Sequence, residues 1–423
     1  MTEVIAVILF VFSFFLISFE RVFRTSKAAI ALVLGGALWL IVVLMGKSHA
    51  YVQAAFQQTG NEIFGILMFL LASMALVELM ARHHFFEYLK EKLLELSIDV
   101  RKQFIFLSLG SFFLSAMLDN MTVGLLMVQV ARHFFKGRNM LIAAAAIVIG
   151  ANAGGSFSPI GDVTTVLLWI AGKYDALTVI REGFLPAVAF LLVSCGILYF
   201  QLDPSDHIAK KEENPTILSK KDKLVIAGSS VSFLLPVLAN NIGLPPYIGL
   251  LFGLGILWLF LQYENVTQKG SSVDVMEDIF KQLDIASVNF YVGILLAANA
   301  LNALGILEAL SRMIFGATQE FMHVVWGSAL VGVLFAFFDN IPLTAVTMKL
   351  VTLPNQSLWV LLALTIGNGG SILLLGSAAG IAVMSGVKEL TMSKYIKFAT
   401  IPTLIAYIVM LGVWYAQYLL VLK

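Results

Sequence analysis

The stretch Ser115-Ala-Met-Leu-Asp-Asn-Met-Thr-Val-Gly124 places a carboxylate, Asp119, and a carboxamide, Asn120, in the middle of an apolar run from 103 to 134. One helix needs only about 20 apolar residues to cross a bilayer. The run is therefore either one long span or a re-entrant hairpin that enters the membrane and leaves by the same face. A second run, 321–350, poses the same question, with Asp339 and Asn340 near its centre. How these two runs are read decides the fold.

The rest of the chain supplies the frame. It has 423 residues, 59% hydrophobic and 13% charged, with a mean hydropathy of +0.91. Soluble domains average about 25% charged residues, so the composition indicates an all-α polytopic membrane protein. Ten further runs read as spans: 4–19, 28–46, 63–81, 141–171, 184–201, 224–240, 245–262, 285–303, 358–383 and 399–420. The first is followed by Arg21, Arg24 and Lys27, and no small-residue cleavage site follows it, so it is expected to be a retained span. The single cysteine, Cys195, lies in an apolar run and rules out an intramolecular disulfide.

Charge settles the two long runs. If both are hairpins, 21 of the 27 Lys and Arg residues fall in cytoplasmic segments and six fall outside. If 103–134 crossed once, the basic segments on its two sides, 82–102 and 132–138, would face opposite compartments, and the lysine-rich loop 202–223 would move outside. Basic residues concentrate on the cytoplasmic side, so the hairpin reading is preferred. It gives ten spans and two hairpins, both termini outside, and a 5+5 inverted repeat of the kind found in secondary transporters. The expected division is a first repeat over 1–201, a cytoplasmic linker over 202–223 and a second repeat over 224–423.

Residues repeat where the topology does. "LDNMTVGLL" (118–126) matches "FDNIPLTAV" (338–346), and "GGSFSPIGD" (154–162) matches "GGSILLLGS" (369–377). Glycine and proline in "GANAGGSFSPIGD" (150–162) and glycine in "GNGGSILLLGSAAG" (367–380) are expected to unwind the spans 141–171 and 358–383. Broken backbone at membrane depth is tolerated only where it is buried or lines a polar cavity. Two hairpin tips and two broken spans are thus expected to converge at the midplane.

Asp119, Asp162 and Asp339 lie in those broken segments, which contain no Lys or Arg. A charge at the bilayer centre costs about 2.5–3.5 kcal/mol on insertion scales and marks a functional site by default. These carboxylates are neutralised by a proton or by a metal cation. Asn120, Thr122, Asn152, Thr164, Thr165, Asn340, Ser371 and Ser377 add the neutral oxygens that a hard cation takes as ligands. Burial raises a carboxylate pKa, and a helix N-terminus or a bound cation lowers it. If Na⁺ and H⁺ exclude each other from such a site, alternating exposure of it is antiport. Asp119 and Asp339 also suit the simpler role of capping the second hairpin arm. Glu78 suits snorkelling, Asn299 and Asn302 suit helix–helix hydrogen bonds, and His83, His84 and His133 suit an interfacial position. The segments 85–96 and 303–314 read as amphipathic interfacial helices.

"LDNMTV" together with "ANAGGSFSPIGDVTT" (151–165) resembles the NhaD-type sodium/proton antiporters, in the ion transporter superfamily that also holds divalent anion–sodium symporters. The resemblance runs over nearly the whole chain. It implies an inverted-repeat homodimer with scaffold and transport parts, in a bacterial cytoplasmic membrane, serving pH homeostasis. It implies Na⁺, Li⁺ and H⁺ as transported ions, with no cofactor, no nucleic-acid partner and no enzymatic activity. Carried over, the functional positions are Asp119, Asn120, Asn152, Asp162, Thr164 and Thr165, with Ser371 and Ser377 in the second half, and Na⁺ held at Asp119, Asn120 and Asp162. The symporter branch carries Ser-Asn-Thr at its hairpin tips, where this chain has Asp in both. The fixed carboxylate is read as standing in for an anionic substrate's charge. A sodium-coupled carboxylate transporter of the same fold is the alternative. An intramembrane aspartyl protease is disfavoured by the Leu-Asp-Asn and Phe-Asp-Asn contexts, and a channel by the carboxylate cluster.

Overall fold

Nine helix starts among the described residues coincide with polar side chains that cap them. Ser26, Ser48, Asp119, Asp162, Asp175, Ser219, Asn355, Ser377 and Thr391 each accept a hydrogen bond from a backbone N–H in the first turn that follows. Such caps satisfy donors that a helix leaves open at its start, and in lipid no water is present to do so. The computed structural model describes residues 2–18, 23–45, 47–95, 99–203, 217–269, 275–316, 320–334, 336–337, 340–374 and 376–422. Asp339 lies outside them. The described residues are helical, with no strand among them.

In chain order the first helices are α1 (Thr2–Ser18), α2 (Lys27–Leu44), α3 (His49–Arg82), α4 (Phe85–Glu95), α5 (Val100–Ser115), α6 (Asn120–Phe134), α7 (Gly137–Ser156), α8 (Val163–Ile170) and α9 (Ala176–Tyr199). Next come α10 (Lys220–Ser232), α11 (Leu235–Asn241), α12 (Pro246–Lys269), α13 (Val275–Gln282), α14 (Ile285–Ala303) and α15 (Ile306–Phe315). The chain ends with α16 (Phe321–Leu334), α17 (Asn340–Leu350), α18 (Gln356–Gly369), α19 (Ala378–Gly386), α20 (Met392–Tyr395) and α21 (Ile401–Gln417). Eight helical stretches among the described residues are long and apolar enough to cross a membrane. The chain is a multi-pass membrane protein. The segments 85–96 and 303–314 hold helices α4 and α15, as expected.

Two compact units cut across the two halves of the sequence. One comprises 1–92 and 213–300, the other 93–212 and 301–423. In the first unit α3 is longer than the apolar run 63–81 suggested, because the polar stretch from His49 to Glu62 continues the same helix. Its Glu62 accepts from Asn299 Nδ2 at 3.2 Å, the helix–helix bond expected of that asparagine. Gly293 and Gly35 let α14 and α2 approach so closely that an added Cβ would lie 2.4 Å and 2.7 Å from the facing helix. His83 is buried, and its Nδ1 lies 2.7 Å from Asp222 Oδ1 in the capping box of α10.

The second unit holds all four breaks. α5 and α6 are separated at 116–119, and α16 and α17 fall on either side of Asp339. At 1.5 Å per residue these four arms are only about 16–24 Å long, short of the roughly 30 Å hydrocarbon core. α7 stops at Ser156 and α8 starts at Val163. α18 stops at Gly369 and α19 starts at Ala378. Packing follows a paired pattern: α5 lies on α7 as α16 lies on α18, and α6 lies on α19 as α17 lies on α8. α7 meets α18, and α9 meets α21.

The sequence reading needs one correction here. Gly154 and Gly155 do not unwind the helix; α7 continues through both to Ser156, and the break is 157–162, which contains Pro159. The glycines serve close approach instead. A Cβ on Gly154 would stand 2.0 Å from Phe112 O, and one on Gly369 would stand 2.0 Å from Gly332 O. Small residues at helix interfaces let backbones meet where lipid provides no hydrophobic drive between helices. The same geometry at 154 and 369 explains why Gly-Gly recurs in both halves.

Candidate cation site

The breaks bring together side chains that lie more than 200 residues apart in sequence. Asn152, in the last turns of α7, donates from Nδ2 to Ser371 Oγ and to Ser377 Oγ, both at 2.9 Å. Its Oδ1 accepts from Asn120 Nδ2 at 3.4 Å. All four residues are buried. Ser377 also caps α19, accepting from Gly380 N at 3.1 Å. The two serines therefore orient the Asn152 amide, which turns its oxygen toward Asn120 at the start of α6.

Asp162 forms a second group beside the first. It is 4% exposed and caps α8, accepting from Thr164 N at 3.4 Å. Asn340, the first residue of α17, donates from Nδ2 to Asp162 Oδ2 at 3.3 Å. Thr165 Oγ1 donates to the Asp162 backbone oxygen at 2.8 Å, and Tyr174 OH donates to Thr165 O at 3.0 Å. Gly155 lies between the two groups: a Cβ there would be 3.0 Å from Asp162 Cβ and 3.4 Å from Asn120 Nδ2. Two buried oxygens in this region, Asn340 Oδ1 and Thr164 Oγ1, have no hydrogen-bond partner. Leaving a buried polar atom unpaired costs about 1–3 kcal/mol, so a water molecule or an ion beside them would be stabilised.

Asp119 is placed differently. It is half-buried and caps α6, and Thr122 takes both of its carboxylate oxygens, through N at 2.9 Å and Oγ1 at 2.5 Å. The structure thus joins Asn120, Asn152, Asp162, Thr164, Thr165, Asn340, Ser371 and Ser377 in one buried region, and pairs Asp119 with Thr122 at its edge. Among the described residues no three His, Cys, Asp or Glu side chains gather as a transition-metal site would require.

One residue was overlooked in the sequence. Asn368 donates from Nδ2 to Ser156 Oγ at 2.9 Å, tying α18 to the end of α7, and its Oδ1 is a further orphan. A signal for it existed: each Gly-Gly-Ser is preceded by an asparagine, at 152 and 368, with the register shifted by one residue.

The citrate transporter (CitMHS) family profile matches residues 14–367. Sodium/proton antiporter 2 of Arabidopsis thaliana is 33% identical over 393 residues, which cover 89% of this chain and 91% of that protein. Sodium/proton antiporter 1 of the same plant is also 33% identical, over 87% of this chain, which spans 64% of that protein's length. The Na(+)/H(+) antiporter NhaD of Alkalimonas amylolytica is 28% identical, over 90% of this chain and 83% of its own. The chain belongs to the citrate transporter family, and its relatives include proteins named as sodium/proton antiporters, among them NhaD.

Proposed function

We propose that this protein exchanges Na⁺, and Li⁺ as its close chemical analogue, for H⁺ across a bacterial cytoplasmic membrane, with the two ions competing for Asp162. The observation that carries the reading is a buried carboxylate at the N-terminus of a half-helix, beside two orphaned oxygens, Asn340 Oδ1 and Thr164 Oγ1. No Lys or Arg occurs between 139 and 172 or between 350 and 387, so neither broken span carries a cation of its own. A cation that entered would gain one negative and two neutral oxygens, a hard-ligand set. A proton on Asp162 would remove the negative one. Each ion thus displaces the other.

The paired packing of the second unit supports an inverted repeat, in which α5–α9 correspond to α16–α19 and α21. The short arms support re-entrant hairpins. The homodimer and both termini outside remain part of the same proposal. Asp119 serves as the cap that holds Asn120 in place, and Asp162 carries the exchanged ion.

A carboxylate-transporting alternative is favoured by the name of the family profile alone. The absence of basic residues from the broken segments argues against it, because a citrate carboxylate would have no charged partner there. Proteoliposomes with an imposed pH gradient separate the readings. Na⁺ and Li⁺ should dissipate the gradient between pH 6 and 9.5, and K⁺ and citrate should not. A response to citrate with none to Na⁺ or Li⁺ would reverse the assignment.

A further inference from the structure

The final helical stretch is not a uniform α-helix. Between α20 and α21 lies a π turn, Ile396–Thr400. Residues five apart on an α-helix point about 140° away from each other, whereas a π turn bonds i to i+5 and brings them toward one face. Tyr395 and Thr400, at the two edges of this turn, both reach the break after α18. Tyr395 is fully buried and its OH donates to Ser371 O at 2.5 Å. Thr400 Oγ1 donates to Ile372 O at 2.8 Å. Further along the same helix Tyr407 OH donates to Ala329 O of α16 at 3.0 Å.

The first break is held by one such bond, Ser158 Oγ donating to Ala116 O at 2.5 Å, and otherwise by ring contacts. Phe157 stacks on Phe112, with ring centroids 5.1 Å apart, and meets Phe184 edge-on at 5.3 Å. Ring contacts of this kind fix position less strictly than directed hydrogen bonds do. The second break thus receives two directional anchors, and one of them falls on Ser371, whose Oγ accepts from Asn152. Each backbone oxygen so engaged has one of its two lone pairs occupied.

We propose that Tyr395 and Thr400 are positioning residues of the cation site, anchoring the second break so that Ser371 keeps the Asn152 oxygen turned toward Asn120 and the entering ion. The proposal rests on the Na⁺/H⁺ exchange reading. It assigns a role to the π turn, which places both hydroxyls over one break.

The test compares Tyr395→Phe, Thr400→Val and Thr400→Ser in the full-length protein, with two readouts. In proteoliposomes, the half-saturating Na⁺ concentration should rise about tenfold in Tyr395→Phe and several-fold in Thr400→Val, with the rate at saturating Na⁺ largely kept. Thr400→Ser, which retains the hydroxyl, should behave as the wild type. In detergent, Na⁺-dependent thermal stabilisation should require correspondingly more Na⁺ in the first two variants. An unchanged half-saturation in both readouts would overturn the proposal. A loss of rate with no change in half-saturation would also overturn it, because that marks a merely structural role. A wild-type protein that neither exchanges Na⁺ nor is stabilised by it would instead overturn the exchange reading beneath the proposal.

Discussion

Asn340 and Asp162, 178 residues apart, meet at 3.3 Å, so the start of α17 closes on the carboxylate that caps α8. The corresponding position to Asp162 in the second half is Ser377, which caps its half-helix without a charge. Pro342 stands where the first half has Thr122, and Ala379 and Gly380 stand where it has Thr164 and Thr165. The matched segments of the two halves thus differ in chemistry.

Asp162→Asn should abolish exchange while leaving the protein inserted and folded, because Asn still caps a helix as well as Asp does. Initial rates in proteoliposomes are expected to fall at least about 100-fold, which corresponds to some 2.7 kcal/mol of lost stabilisation. Wild-type rates in this variant would return Asp162 to a capping role.

Asp119 accepts from Thr122 through both carboxylate oxygens, and on the proposed function it acts through that contact. Asp119→Asn and Thr122→Val should each reduce exchange by about tenfold, and the double variant should be no worse than the poorer single, since residues of one network couple and do not add. Losses that multiply in the double variant would show that Asp119 has a separate role.

Ser371 and Ser377 share one amide. Either serine to alanine leaves Asn152 Nδ2 with one acceptor and should raise half-saturating Na⁺ several-fold. Removing both orphans the amide in a buried site, at about 1–3 kcal/mol, and should cost more than the two singles combined. The measurement is Na⁺-dependent recovery of fluorescence of a pH-sensitive dye in vesicles.

Gly154 and Gly369 are required for packing. Gly154→Ala and Gly369→Ala each force a Cβ to 2.0 Å from a backbone oxygen, whereas an added Cβ on Gly36 meets nothing within 4 Å. Overpacking of this kind costs about 1–3 kcal/mol or more. The first two variants should unfold at clearly lower temperature in detergent, and Gly36→Ala should match the wild type.

Much of this was legible in the chain. The breaks at 116–119 and after Ser156 and Gly369 fall where polar residues interrupt apolar runs, and such interruptions carry a high cost in lipid. The Gly-Gly role was misread because glycine signals both an unwound helix and a close contact, and sequence alone does not show the facing helix. The length of α3 was hidden because its first turns are polar, so hydropathy ended the span before the backbone did. The separation of Asp119 from Asp162 was also invisible. Both are Asp two residues or three before a threonine, and only tertiary placement shows that one is taken up by Thr122 and the other joined by Asn340 from the opposite half.

Proton release on cation binding tests the central claim most directly. Purified protein in weakly buffered detergent solution, mixed with NaCl near the pH at which half-saturating Na⁺ begins to rise, should release H⁺ in a saturable way, and KCl should not reproduce the effect. Half-saturating Na⁺ should rise about tenfold for each unit of pH below the point where Asp162 protonates, since proton and cation binding are linked. Asp162→Asn should release none. Na⁺ binding without proton release, or equal release from Asp162→Asn, would contradict competition at this carboxylate.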